Sequence, residues 1–424
     1  MLASTTVPGW KGYTQKTASI LEIITFALCA VTLLTALINN NLSMKLFNIS
    51  GVLAILTLII RGKTASLTGK ACILPATILL IGIVDVIWYS MFKVDNSPFR
   101  ATYHSYLNTA KIFLFGTFIV LLASTSKFKA KKNALLYLFY AVSFIIFGYA
   151  AWLKFNAGMA RIDFGIGTAT GAAYSIMLIG IISAISILYV EKSHPLLFLL
   201  NTAAVFTALI FTQTRSAVLL FPVICAITLV LYFSKAPKKL FLSVITFLAL
   251  LVVLSFIFSK PISQRYESAM RDIEKYQTKN NSQSSLGARL AMYQVGFDIF
   301  EDAPLAWRSA EERAQSAKAI VAKDKSLMGI MPYLNVHLHN EFIEAGSLKG
   351  LAGVLSTLLF YAGLFYAVYY YRSLGLFTFT LAIIGLGLSD VLVWSRSVPI
   401  IIICGITVLL FFQSQRKLPA KLES

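Results

Sequence analysis

The feature that most constrains this chain is a succession of apolar runs of membrane-spanning length, broken once by a polar interval covering residues 260–350. As helices, runs of about 20 residues at 1.5 Å per residue match a bilayer core of roughly 30 Å. Twelve can be drawn, over 17–38, 45–60, 72–92, 110–126, 134–153, 171–190, 196–213, 216–233, 240–259, 351–371, 374–393 and 397–413. Backbone polar groups in lipid must be satisfied within their own segment, so the expected fold is an all-α polytopic membrane protein with about 12 transmembrane helices. The single membrane domain would span residues 1–424, with the interval 260–350 as one long loop. That loop is too rich in Arg, Lys, Asp, Glu, Asn and Gln to lie in lipid, and any chemistry is expected there.

Composition agrees: 58% of residues are apolar, 13% are charged, and the mean hydropathy is +0.76. A net charge of +19 would suit a nucleic-acid binder only on a soluble basic face, and here the Lys and Arg sit in short connections. With the N-terminus in the cytoplasm, 17 basic residues fall on the cytoplasmic side and 8 on the opposite side, with 12 in the long loop and its exit. The positive-inside rule therefore puts both termini in the cytoplasm and the loop outside. Cys29, Cys72, Cys225 and Cys404 all lie in apolar runs, without metal-ligand spacing, and read as small core hydrophobes. The first run is long enough to span and lacks a clear cleavage site, so it reads as a retained membrane helix.

Inside the loop, residues 262–276 and 286–300 repeat apolar positions at helical spacing, which predicts two amphipathic helices on the outer membrane surface. Leu290, Tyr293, Val295, Gly296 and Ile299 would form the buried side of the second, Ser285 its cap and Pro304 its end. The stretch NVHLHNEFIEAGSLKG at 335–350 should open a helix leading into the next membrane run. Gly346, Gly350 and Gly353 would let another helix approach it closely.

Several polar residues could carry chemistry, each with a plainer alternative. Arg215 in TQTRSA sits between two apolar runs with almost no loop; it either faces a polar cavity or snorkels as an anchor. Arg289 near a helix start suits phosphate oxygens, or is a solvated charge. His339 could accept a proton near neutral pH, or be a surface histidine. His337 and His339 alternate, so an extended segment would point them to opposite sides and they are not expected to act as a pair. No third ligand for a zinc site is apparent, since neither His104 nor His194 is placed to complete one. Glu341 and Glu344 could orient the imidazole or bind a sugar, or be solvated first-turn acids.

Glu22, Asp85 and Asp390 lie within apolar runs, where a charge faces a cavity or a partner; for Asp390 one such partner is Arg396. Asp272 and Glu274 alternate faces, which argues against a metal-diphosphate site. The connection KVDNSPFRATYHSYLNTAK, with Arg100 and His104, suits carbohydrate or headgroups, and equally simple loop solvation.

Together these stretches resemble the enterobacterial O-antigen ligases. The likeness is carried by VDNSPFRATYHSYLNTAK at 94–111, GTATGAAYS at 167–175, TQTR at 212–215, SLGARLAMY at 285–293, the 335–350 stretch and LSDVLVWSRSVPIII at 388–402. A histidine followed by Asn and Glu after many membrane helices is also similar to O-antigen polymerases.

The resemblance implies a multi-pass inner-membrane glycosyltransferase of the GT-C class with a periplasmic active site and no metal requirement. Its donor would be O-antigen on undecaprenyl diphosphate, and its acceptor a sugar hydroxyl of lipid A–core oligosaccharide. Carried over by residue, Arg215 and Arg289 match the family's essential arginines, His339 its essential histidine and Asp390 a sensitive acid, with Glu344 fitting the acid of the looser signature. His339 would act as base or as a diphosphate ligand, while His337 and Arg100 join the expected substrate contacts. Two other functions fit the residues: polymerisation, and transport of lipid-linked glycans, although no inverted repeat is visible.

Overall fold

The computed structural model describes residues 8–62, 68–126, 132–189, 195–279, 282–394 and 397–413. Among the described residues the regular structure is helical throughout. The helices are α1 (Pro8–Thr35), α2 (Asn40–Arg61), α3 (Gly69–Phe92), α4 (Arg100–Ser124), α5 (Lys132–Phe155), α6 (Ala169–Tyr189), α7 (Pro195–Thr212), α8 (Arg215–Phe233) and α9 (Pro237–Ile257). The polar interval supplies α10 (Ser259–Lys279), α11 (Ser285–Asp302), α12 (Ala310–Lys323) and a 3-10 segment, Lys325–Tyr333. Then come α13 (Glu341–Tyr371), α14 (Leu374–Gly387) and α15 (Ser397–Gln413).

Nine helices among the described residues are long and apolar enough to cross a membrane, and three shorter apolar helices, Tyr140–Phe155, Leu374–Gly387 and Ser397–Phe411, take the places of the other expected runs. This is a polytopic, all-helical membrane protein.

At its centre stands α6, whose apolar window is wholly buried. It packs on α7, α8, α14 and α15, and Ser175 Oγ lies 3.2 Å from Ser397 Oγ across the α6–α15 contact. The outer helices instead expose apolar side chains such as Leu219, Val252, Phe256 and Tyr369, as suits contact with lipid. Acids within apolar segments are paired: Asp85 on α3 meets Lys349 Nζ at 2.6 Å, and Glu22 on α1 meets Arg61 on α2.

The polar interval is a folded body with a cluster of its own, built from Ala288, Met292, Val295, Ile299, Val321, Leu327, Ile330 and Leu338. Helices form over both expected stretches, but Ser284, rather than Ser285, caps α11 by accepting from the Gly287 N–H. Val295, Gly296 and Ile299 are buried as expected, whereas Leu290 and Tyr293 are half-buried and Ala288, Ala291 and Met292 complete the inner side. The reason is that α11 is gripped from several directions, by α10, α12, α13 and the 3-10 segment.

The connection from 93 to 111 is only briefly a loop, because α4 begins at Arg100. A capping box between Ser309 and Glu312 starts α12, which the hydrophobic pattern does not reveal.

One glycine sets how this body sits on the membrane helices. Inside α13, Gly350 has φ 54° and ψ −147°, and a side chain there would meet the carbonyl oxygens of Pro304 and Ala306 at 2.5 and 2.7 Å. The kink lets the Leu351 N–H donate to Pro304 O at 2.7 Å and the Arg308 N–H to Leu348 O at 2.8 Å. Trp88 Nε1 on α3 also donates to Arg308 O, at 2.9 Å.

Candidate active site

Asn340 caps α13, its side-chain oxygen accepting from the N–H groups of Phe342 and Ile343. Immediately before it, His339 adopts φ 51°, the left-handed region. That turn breaks the alternation expected of an extended segment and corrects the reading of the two histidines. Their rings lie 4.4 Å apart, and both reach Asp390 Oδ1: His339 Nδ1 at 2.8 Å and His337 Nδ1 at 3.3 Å. A small His–His–Asp cluster therefore forms where the sequence suggested two unrelated imidazoles.

Asp390 stands in the connection after α14 and is 3% exposed. Burial alone would raise its pKa, but the hydrogen bond from His339, the electrostatic influence of the two imidazole rings facing it and the Val391 N–H hold it below the usual carboxylate range. The carboxylate is thus ionised and accepts, so His339 Nδ1 carries the proton and Nε2 is the basic nitrogen. Tyr174 on α6 donates to Asp390 Oδ2 at 2.8 Å and lies 3.3 Å from Ser216 Oγ on α8. Burial pushes the His337 pKa down to about 4, so that ring is neutral near pH 7. The pairing expected between Asp390 and Arg396 involves a residue outside the described ones, as does His194.

These three groups line a cavity of about 650 Å³ with Tyr174, Thr168, Thr170, Ser105 and Asn39–Asn41. A second cavity of about 470 Å³ shares Thr170 with the first and contains Arg161, Arg215, Arg265 and Arg289. Arg215 opens α8 and meets Asp272 Oδ2 at 3.2 Å and Ser268 Oγ at 2.9 Å, both on α10. Arg289 comes from α11, Arg161 from the α5–α6 connection and Arg265 from α10. Burial, then the neighbouring Arg161 and Arg215, lowers the Arg265 pKa.

Four guanidinium groups with Asp272 as the acid lining the same space favour an anion bearing several negative charges. Arg215, Arg289 and His339 thus stand around two adjoining spaces rather than apart. From sequence Arg161 is only one of the eight basic residues in the outer connections and Arg265 only one of the twelve in the long loop and its exit, since nothing in their local spacing distinguishes them.

A third, largely apolar groove of about 230 Å³ runs from Arg215 and Arg265 along Ile210, Val218, Leu219, Ile262 and Tyr266. Asp272 therefore serves as a partner to Arg215, not as half of an acidic pair.

The other expected site residues are placed differently. Glu344 is 1% exposed and is not a solvated first-turn acid: Arg313 Nη1 donates to its Oε2 at 2.7 Å, the Leu338 N–H to the same oxygen at 2.8 Å, and Tyr106 Oη to Oε1 at 2.9 Å. Glu341 is likewise buried, accepting from Tyr361 Oη and from the Leu392 N–H. Arg100 is exposed at the start of α4, where it donates to His104 Nε2 at 3.3 Å, and it lines neither polar cavity.

One more correction concerns metals. Asp390 supplies the third ligand that HxH lacked: His337, His339 and Asp390 bring one ligand atom each within 4.8 Å of one another, so they could hold a cation. Only the fold reveals this, because Asp390 is 51 residues from His339.

A profile of the O-antigen ligase family matches residues 200–358. The O-antigen ligase of Escherichia coli K12 is 53% identical over 415 residues, which is 98% of this chain and 99% of that protein. An uncharacterized protein of Haemophilus influenzae is 27% identical over 267 residues, 59% of this chain and 63% of its own length.

Proposed function

This chain belongs to the O-antigen ligase family, and from that premise we propose that it transfers O-antigen polysaccharide from undecaprenyl diphosphate to a sugar hydroxyl of lipid A–core oligosaccharide. The observation that carries the reading is the junction of an arginine-lined cavity with one holding a His–Asp pair.

In the proposed reaction the acceptor hydroxyl attacks the anomeric carbon of the donor. His339 Nε2 takes its proton while Asp390 steadies the ring through Nδ1. The new C–O bond forms as the anomeric C–O bond to the diphosphate breaks, and the bonding pair leaves on the phosphate oxygen. Arg215 and Arg289 stabilise that growing charge, with Arg161 and Arg265 adding to the field. Direct displacement inverts the anomeric centre. Cationic side chains thus occupy the role that a divalent metal fills in many transferases, as befits a site outside the cytoplasm where the carrier linkage stores the energy.

The fold is read as GT-C, with both termini cytoplasmic, the 260–350 interval and the site periplasmic, and the inner membrane as location. The apolar groove beside Arg215 supports a lipid-linked donor. His337 supports the His339–Asp390 pair as a neutral neighbour, and Arg100, exposed outside the two polar cavities, would meet the saccharide further out.

The test is transfer by purified, reconstituted protein from lipid-linked O-antigen to lipid A–core, with and without a chelator. Wild type should form lipopolysaccharide in both conditions, and His339→Ala, Arg215→Ala and Arg289→Ala should each lose transfer while remaining folded. Activity abolished by chelation would turn the His–His–Asp trio into a metal site. Extension of the lipid-linked glycan instead of transfer to core would indicate polymerisation, and glycan movement without transfer would indicate transport.

A further inference from the structure

We propose that Arg313 is a positioning residue for the reaction: through Glu344 and the backbone at Val336 it holds the segment that presents His337 and His339 to Asp390. The proposal rests on His339 as the base and adds a residue that no motif marks. Arg313 lies on α12, Glu344 in the first turn of α13, and they are 2% and 1% exposed. One arm of the guanidinium donates to Glu344 Oε2 at 2.7 Å, the other to Val336 O at 2.8 Å. The same Glu344 oxygen accepts from the Leu338 N–H at 2.8 Å. A carbonyl before His337 and an N–H after it are therefore held by one buried ion pair.

Side-chain packing closes the grip. Leu338 is 2% exposed, and its Cδ1 would stand 2.7 Å from a Cβ added at Gly296 on α11, so it fits against bare backbone there. Beyond it, Tyr293 Oη donates to His339 O at 2.8 Å. Helices α11, α12 and α13 thus hold successive backbone atoms of one short segment. The left-handed conformation of His339 is the sort a non-glycine residue keeps only where its surroundings enforce it.

A buried ion pair is a weak source of stability, because desolvation offsets most of its Coulombic gain. Its effect here is geometric, and it requires arginine: a planar fork donates in two fixed directions at once, which an ammonium does not reproduce.

The test compares Arg313→Lys and Glu344→Gln with wild type in the reconstituted transfer reaction, alongside thermal unfolding and hydrogen exchange of residues 334–340. With the base displaced by a fraction of an ångström to an ångström, kcat of Arg313→Lys should fall roughly ten- to a hundredfold, while the donor KM stays within about twofold. Exchange at 334–340 should quicken with the α6 core unchanged. Arg313→Gln should lose more, so lysine gives partial rescue. A kcat for Arg313→Lys within twofold of wild type would overturn the proposal. So would a loss that only tracks the folded fraction, with exchange at 334–340 unaltered. If Arg313→Lys does not fold, Glu344→Gln, which keeps the shape and one acceptor oxygen, decides by the same readouts. Inactive wild type would instead overturn the functional reading, and the exchange result would still judge the grip.

Discussion

At the residue scale, the proposed base His339 depends on Asp390. Without that carboxylate the imidazole would have neither a fixed tautomer nor a fixed plane. Asp390→Asn should therefore lower kcat by roughly ten- to a hundredfold without preventing accumulation, measured as transfer per mole of folded protein. Removing Arg215 or Arg289 should cost more, about 10²- to 10³-fold in kcat, because in the proposed reaction each would stabilise charge that develops only as the diphosphate departs.

His337 gives a pH signature. Its folded pKa of about 4 lies below the ordinary 6.5, so the unfolded chain binds the extra proton more readily. Stability is therefore intact above the ordinary value and is lost as pH falls from 6.5 toward 4. Thermal midpoints in chelator-containing buffer should decline across that window, and His337→Gln should flatten the decline.

At the scale of elements, α13 joins the site to the membrane through the break at Gly350. Gly350→Ala combines positive φ with contact against two carbonyl oxygens, and should destabilise by roughly 1–3 kcal/mol, seen as a lowered unfolding temperature in detergent. The Asp85–Lys349 pair ties the same turn to α3. Replacing Asp85 alone by Ala strands a buried ammonium and should cost roughly 3–5 kcal/mol, while Asp85→Leu combined with Lys349→Met should cost less than Asp85→Ala. Equal loss from both would show that the pair is not what holds this junction. Helix α12 is not legible in the sequence because three of its buried residues are alanines, Ala310, Ala314 and Ala317, with Val321 the larger apolar one, and alanines give little hydrophobic periodicity.

At the scale of the whole molecule, the proposed orientation rests on the basic connections, many of which, including Lys63, Lys127, Lys129, Lys131, Lys192, Arg416, Lys417 and Lys421, lie outside the described residues. Ser263 on α10 and Ser234 after α8 are both exposed and stand on opposite sides in the proposed topology. A membrane-impermeant maleimide should label Ser263→Cys from the periplasm and Ser234→Cys only after lysis. The reverse pattern would invert the topology and place the site in the cytoplasm.

What the sequence determined by itself was the solvent each segment requires. Apolar runs of bilayer length dictate a helical membrane body, and one interval too polar for lipid is set apart from them with a cluster of its own, because transfer free energy is a property of local composition. It also marked Arg215, Arg289, His339 and Asp390 as costly or reactive groups. Which of them meet was decided only by tertiary structure. The left-handed turn at His339, the approach of Asp390 from 51 residues away, and the diversion of Glu344 to Arg313 all depend on groups far apart in the chain. Distance between side chains is a property of packing, and no local periodicity encodes it.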